Sequence, residues 1–599
     1  MNQIYSKIGF TISSALLTFC LGSLMVLFGG LIDVAGGAGF DGIIYQEQVR
    51  NFEQLFAEKR LNSTDILPGQ PAKVNRFLSS MIVHYGMKSF DIPFEPANIV
   101  KGFQYHNLIW LVLASLAWGG ITFRLKLQEK SKWFGWVMFF CTWATLRMPF
   151  FDPVLTDTTA LCLALIMLFF FFQKEFIAIP GLILTGFLGG FVWQPILIYA
   201  YILLLFPREA KFITQPTNWI NLLVKTIPAL AFLVSFLQVY LFSGGANHFE
   251  TLNNGAGGAY PTYMDWLFLS VLLAGAFTFF YFYYLYINSS YKNLFYIFTP
   301  HPQKKINPTQ SVIQLVKRIL PVLLLYFSVS YFHDTVSNDE TAEIAGAVVT
   351  DVATSMVSNP FTILRFFYTD YALHAPLEFL IAHIVYFGIW WVIATVFFPQ
   401  VAEQIREYGG VGIILIFTAS LASSIFNPQS RIGTAFMPFV FVFVILMVDR
   451  YNWDKKYLWI LGGINLFASK FWMPIGAMLE PIMQNGQQVG AQKGVGWDQF
   501  FMAFGIQMPP KWYWIYSVLF VVLVAWLIYE RRNLFQLPSN NQKNKITSQA
   551  KPQPPVSKPK KATISTSQNA VSPSKQKPKN TDKISPKKRK SKSKKYRKK

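Results

Sequence analysis

The sequence predicts an all-α polytopic membrane protein. Three features lead there. The chain is 53% hydrophobic and 17% aromatic but only 14% charged, against about 25% charged residues in soluble proteins. Apolar runs of membrane-spanning length recur along it. Its basic residues collect in alternate loops.

The first run, Ile8 to Ile32, is too long for a signal-peptide core and lacks a convincing small-residue cleavage site after it, so it reads as an uncleaved first span. Further runs lie at 105–123, 134–151 and 156–173. The stretch from Phe176 to Phe206 is too long for one span; Gly189, Gly190 and Gln194-Pro195 punctuate it, which predicts two short helices turning there. Spans at 222–242, 266–287, 319–333, 376–398, 411–426, 432–448, 456–474 and 512–529 complete a bundle of about fourteen crossings.

Charge sets the orientation. With the N-terminus inside, the inner loops hold Arg124, Lys126, Lys130 and Lys132; Arg208 and Lys211; Lys304, Lys305, Lys317 and Arg318; Arg450, Lys455 and Lys456. The long first outer loop, 32–104, balances seven basic against eight acidic residues, and Arg365 is the sole basic residue from Asp334 to Ala375. Both termini are then cytoplasmic, with outer loops at 32–104, 243–265, 334–375 and 475–511.

Of the 53 Lys and Arg, 22 lie from Arg531 onward with one of the 30 acids, Asp582, leaving 31 bases against 29 acids in the rest. This divides the chain into a transmembrane domain, 1–530, and a basic cytoplasmic tail, 531–599. The tail has too few apolar residues to fold and reads as disordered. It is suited to anionic lipid headgroups. With Tyr596 as its one distal aromatic residue it lacks a stacking platform, so no specific nucleic acid is expected. Cys20, Cys141 and Cys162 sit inside apolar runs and have no metal or disulfide spacing.

Ionisable groups close to membrane depth are the candidates for chemistry. Asp41 follows the first span in Gly36-Gly37-Ala38-Gly39-Phe40-Asp41-Gly42, with Glu47, Arg50 and Asn51 beyond. A carboxylate there can meet a substrate whose tail stays in lipid and whose head stays in water; the plainer role is a helix cap. Arg76 precedes an apolar-rich stretch, Phe77 to Tyr85, that contains His84 and suits the bilayer surface. In Arg147-Met148-Pro149-Phe150-Phe151-Asp152-Pro153-Val154-Leu155-Thr156-Asp157, Arg147 lies in an aromatic span and calls for Asp152 or Asp157 as partner, while Asp157 starts the next helix. Arg431, a few residues before Pro438, can hold a phosphate in bidentate fashion or anchor a headgroup. His333-Asp334 and the Asp370–His374 segment are weaker candidates. No Walker loop, HExxH, CxxC or nucleophile elbow occurs, which disfavours ATP hydrolysis, zinc proteolysis and serine hydrolysis.

Phe40-Asp41-Gly42 with Tyr45, Arg76, Asp152-Pro153 with Asp157, and Arg431 with Pro438 together resemble the GT-C superfamily of integral-membrane glycosyltransferases, in the flavour of bacterial mannosyltransferase-like proteins. The likeness covers roughly the first 210 residues and the 411–448 pair. It implies a GT-C-like bundle in a cell inner membrane, a polyprenyl-phosphate sugar donor and a glycan or lipid acceptor. It also implies Asp41 as general base with Glu47 as second candidate, and Arg76, Arg147, Asp152, Asp157 and Arg431 around phosphate and sugar. The paired first-loop acids common in the family are absent, since Gly42, Ile43 and Ile44 follow Asp41. No cofactor is implied, and a divalent metal is left open. Two other classes are a polysaccharide polymerase or ligase, and a transporter or lipid flippase using the interrupted 176–206 helices. Against transport stands the lack of a second broken pair in the sequence.

Overall fold

The computed structural model describes residues 2–32, 34–59, 76–206, 308–336, 378–410, 412–417, 430–469, 480–484, 487–492 and 510–535. The expected spans at 222–242 and 266–287, the loop 243–265, the Asp370–His374 segment and the tail beyond 536 lie outside these residues.

The described chain is helical apart from one antiparallel hairpin, Glu480–Gln484 with Gln487–Gln492, bulged after Ile482. The all-α expectation did not contain it. Asn485-Gly486, between the two strands, is the dipeptide that favours a two-residue hairpin connection.

The helices run in the order α1 (Asn2–Phe28), α2 (Gly39–Arg50), α3 (Phe52–Ala57), α4 (Leu78–Ser89), α5 (Pro96–Leu125) and α6 (Glu129–Phe140). A π turn, Trp143–Arg147, leads into α7 (Met148–Phe151) and α8 (Asp157–Phe171). Next come α9 (Glu175–Gly190), α10 (Gln194–Leu205), α11 (Pro308–Val336), α12 (Glu378–Phe387), α13 (Trp390–Val396) and α14 (Phe398–Gln404). After a 3-10 turn, Ser430–Ala435, follow α15 (Met437–Arg450), α16 (Lys455–Ser469), α17 (Pro510–Tyr529) and α18 (Arg531–Leu534).

By length and apolarity two of these could cross a membrane unaided, Gly9–Phe28 and Pro96–Leu125; Asp157–Phe171, Glu175–Gly190, Gln194–Leu205 and Trp514–Tyr529 are apolar but shorter. The turn foreseen between the two halves of 176–206 is present at Phe191–Trp193.

α8 and α15 form the centre. Almost every residue of α8 and all of Met437–Val448 are buried, as a helix without a polar face requires. α8 packs on α5, α9 and α15, and α15 also receives α6, α13 and α14.

The loops assigned to the outside meet one another. Ile32 N donates to Phe151 O (2.9 Å), Leu78 N to Phe191 O (3.2 Å), and the Phe77 ring packs on Phe191 and Phe332. The loops assigned to the inside also meet one another. Arg124 Nε donates to Phe172 O (2.8 Å), Gln128 N to Asp449 (2.9 Å), and Arg318 pairs with Glu175 (2.8 Å). About 20 residues of α5, about 30 Å of helix, separate Gln104 at the first end from Arg124 at the second. Phe535 packs against Phe397, Tyr451 and Trp453, so the chain stays with the body as far as Phe535.

Two expected spans are broken. The 134–151 run stops at Phe140 and resumes as the π turn. There Thr142 and Thr145 share a 3.0 Å hydroxyl contact and Thr145 donates to Phe139 O (2.6 Å), which competes with the helical ladder. The 376–398 run breaks at Gly388, whose φ of +98° suits glycine. One side chain serves both breaks. Asn465 of α16 accepts from Ile389 N (2.9 Å) and donates to Val137 O (3.3 Å) and Cys141 O (3.5 Å), while Ser469 donates to Cys141 O (3.2 Å). Interrupted helices are thus not confined to 176–206.

Candidate functional site

The site gathers around the first turns of α2 and α8. Asp41 stands at the third position of α2. Its N-cap is Ala38, which contributes no side-chain bond. The Asp41 side chain itself lies outside the described residues. By helical spacing its position shares a stripe with Tyr45 and Gln48, both buried.

Gly39, at the start of α2, has φ +71°, and a Cβ there would lie 2.7 Å from Asp152 Oδ1 and 3.0 Å from Oδ2. The Asp152 carboxylate is thus seated against the first turn of the helix that carries Asp41, at the positive end of its dipole. The loop carrying Asp152 is gripped from α5. Asn107 Nδ2 donates to Pro149 O and Pro153 O (2.8 Å each), and Gln104 Nε2 to Phe150 O (2.9 Å).

Asp157 opens α8 as foreseen and is buried. Arg147 is 7% exposed. Its Nε has no hydrogen-bond partner and its Cζ lies 5.5 Å from the Phe151 ring centre. The expected ion pair with Asp152 or Asp157 is not made: Arg147 lies over Phe151, and Asp152 lies on Gly39. Among the described residues no carboxylate pairs with this buried guanidinium. The π turn that ends in Arg147 is a local irregularity of the sort that marks functional positions in helices.

Arg76 lies over Trp193, Cζ 3.9 Å from the ring centre, within cation–π range. The α4 helix that follows it packs on α2 and α5. Ser79 Oγ is 3.3 Å from Thr159 Oγ1, and Ser80 donates to Gln48 Oε1 (3.0 Å), so α4 bridges the starts of α8 and the flank of α2. Arg431 belongs to the 3-10 turn Ser430–Ala435, which packs on α8; its side chain lies outside the described residues. Glu47 stands apart, half-exposed and held by Arg50 (3.1 Å) and Asn51.

At the rim, Lys88 Nζ is 2.6 Å from Glu53 Oε1. This bond holds the Glu53 carboxyl below its usual range and the Lys88 ammonium above its own. His84 Nδ1 donates to Val49 O (2.6 Å) and its ring stacks on Phe94 at 4.9 Å.

The positions brought to this end are Asp41, Arg76, Asp152 and Asp157, with the backbone of Arg431 on α8. Trp193, Asn107 and Gly39 were missed from sequence. The Trp193-Gln194-Pro195 turn signal could have pointed to the first, and the glycine run before Asp41 to the last. Among the described residues no cluster of three His, Cys, Asp or Glu could hold a metal. Set against family models, curated proteins and solved structures, the chain matches none.

Proposed function

We propose that this chain is a multi-pass glycosyltransferase of GT-C type in a cell inner membrane. It would have about fourteen crossings and cytoplasmic termini, and would move a sugar from a polyprenyl-phosphate donor to an acceptor hydroxyl on the extracytoplasmic face. One observation carries this reading: the Asp152 carboxylate sits on the first turn of the Asp41 helix, five residues along the chain from the buried Arg147, which has no carboxylate partner among the described residues.

In the reaction the acceptor oxygen attacks the anomeric carbon as Asp41 takes its proton. The bond from that carbon to the phosphate oxygen breaks, and its electron pair leaves on the lipid phosphate. Arg147, with Arg431 as the second guanidinium, offsets the charge that grows there. The proton on Asp41 passes to water. A single displacement inverts the anomeric centre. Asp152 holds the start of α2, and Asp157 lies at the dipole-positive start of α8. Glu47, tied to Arg50 and Asn51, is the weaker candidate for the base.

The test is turnover of a polyprenyl-phosphate hexose by Asp41→Asn in detergent micelles. Turnover falls by about 10²–10⁴-fold while binding of the lipid phosphate persists. Full retention of turnover would remove Asp41 from the chemistry.

A second reading, transport of a lipid-linked molecule, is favoured by the two helix breaks that meet at Asn465. The groups around that junction, Asn465, Thr142 and Ser469, are neutral, which suits the anion of a lipid phosphate less well than the Arg147 guanidinium. Flipping of a fluorescent lipid phosphate in vesicles, unchanged by Asp41→Asn, would favour transport.

A further inference from the structure

We propose that Arg76 and Trp193 form a second oxyanion subsite, separate from Arg147, and that the acceptor therefore bears a phosphate of its own. This rests on the glycosyl-transfer reading, in which Arg147 takes the donor phosphate.

The pair is built before any ligand arrives. The Arg76 guanidinium lies 3.9 Å from the Trp193 ring centre, and Trp193 is 7% exposed. Arg76 Nε and Trp193 Nε1 are both buried, and among the described residues neither has a hydrogen-bond partner. Both are donors with no capacity to accept, and an unpaired buried donor is costly. A group that only accepts completes them; a sugar hydroxyl, equally donor and acceptor, matches less well. The guanidinium is a planar fork of N–H donors that matches phosphate oxygens.

The surroundings hold the pair in place. Leu78 N donates to Phe191 O (3.2 Å), and the Phe77 ring is 5.2 Å from Phe191 and 6.1 Å from Phe332. The Ser79–Thr159 contact, 3.3 Å, sets this segment beside the start of α8, where Asp157 is the first residue. Arg147 sits on a different segment, over Phe151. Arg76 is half-buried where Arg147 is buried, so it is the one open to a group arriving from water or the interface.

The experiment follows thermal stability of the full chain in neutral detergent. Three probes are titrated: inorganic phosphate, dihexanoyl phosphatidic acid and, as the phosphate-free control, dihexanoylglycerol. The two phosphates raise Tm and the control does not. Arg76→Ala and Trp193→Phe, which keeps the stack but removes the N–H, each weaken the phosphate effect about tenfold, the size expected for one charge-assisted bond. Arg76→Lys, which keeps the charge without the fork, falls between. In Arg147→Ala the part of the effect that depends on Arg76 remains, and adding Arg76→Ala to it removes that part. Tighter binding of the phosphatidic acid identifies a lipid acceptor, and equal binding a soluble glycan phosphate. If Arg147→Ala alone abolishes the effect, the second subsite is overturned while the glycosyl-transfer reading stands. If no variant weakens it, or the wild type binds no phosphate, the inference fails, and Asp41→Asn turnover still judges the reaction independently.

Discussion

The Asp152 carboxylate occupies the space where any side chain at Gly39 would begin, 2.7 Å from the ideal Cβ position to Oδ1. Gly39 also holds φ +71°, a backbone region that costs a residue bearing a Cβ about 1–2 kcal/mol. Gly39→Ala therefore destabilises the protein by at least that amount and pushes Asp152 off the start of α2. Thermal unfolding in detergent reads the first effect and sugar turnover the second. Unchanged Tm and turnover would mean that the contact constrains neither helix.

Asn107 works from the other side of the same loop. Its single amide donates to the carbonyls of Pro149 and Pro153 at 2.8 Å each, closing the turn that carries Asp152. Asn107→Leu keeps the volume and strands two buried carbonyls, at about 1–3 kcal/mol for each group left unpaired. The predicted signature is a lower Tm together with a kcat loss larger than any change in KM, because the loop shifts a reacting group rather than a binding one. A KM effect alone would assign Asn107 to substrate contact instead.

The parts of the fold legible in sequence were those set by local chemistry. Gln194-Pro195 marked the turn between α9 and α10, Asp157 marked the start of α8, and the Lys and Arg pattern grouped the loops that meet at each end. What stayed hidden depends on partners distant in the chain. Thr142 and Gly388 break their helices where Asn465, more than 70 residues from either, supplies the missing bonds. The contact of Arg76 with Trp193 could not be read from sequence, because Trp193 is remote in the chain. Arg147 looked paired because Asp152 is near in sequence, yet Asp152 turns to Gly39. The hairpin at 480–492 had a signal in sequence, the Asn485-Gly486 dipeptide.

Acid should loosen the outer rim. Glu53, held by Lys88 at 2.6 Å, has its carboxyl pKa lowered from 4.5. A lowered folded value means the pair's contribution is present above pH 4.5 and is lost as pH falls through the depressed value. On the basic side, the raised Lys88 value means the contribution is full below pH 10.5 and lost above it. Both side chains are about half exposed, so salt screens the pair and the effect is small. Lys88→Met flattens the acid limb of a Tm-against-pH curve at low ionic strength. An identical limb in the variant would show that the pair is energetically silent.

Arg147 separates function from stability. A guanidinium 7% exposed, with its Nε unbonded and no carboxylate beside it among the described residues, loses hydration without gaining a counter-charge. Folding alone gives no reason to keep it, since an apolar residue of similar length would pack over Phe151 without that cost. Arg147→Met should therefore raise Tm or leave it unchanged, whereas removing a charge that served the fold would lower it. The same variant should reduce turnover by about 10²–10³-fold, the scale of losing one group aimed at a developing oxyanion. Arg147→Lys should recover part of the turnover, because it returns the charge without the planar fork. A fall in Tm with turnover intact would reverse the assignment and make Arg147 a structural residue whose partner is not the substrate.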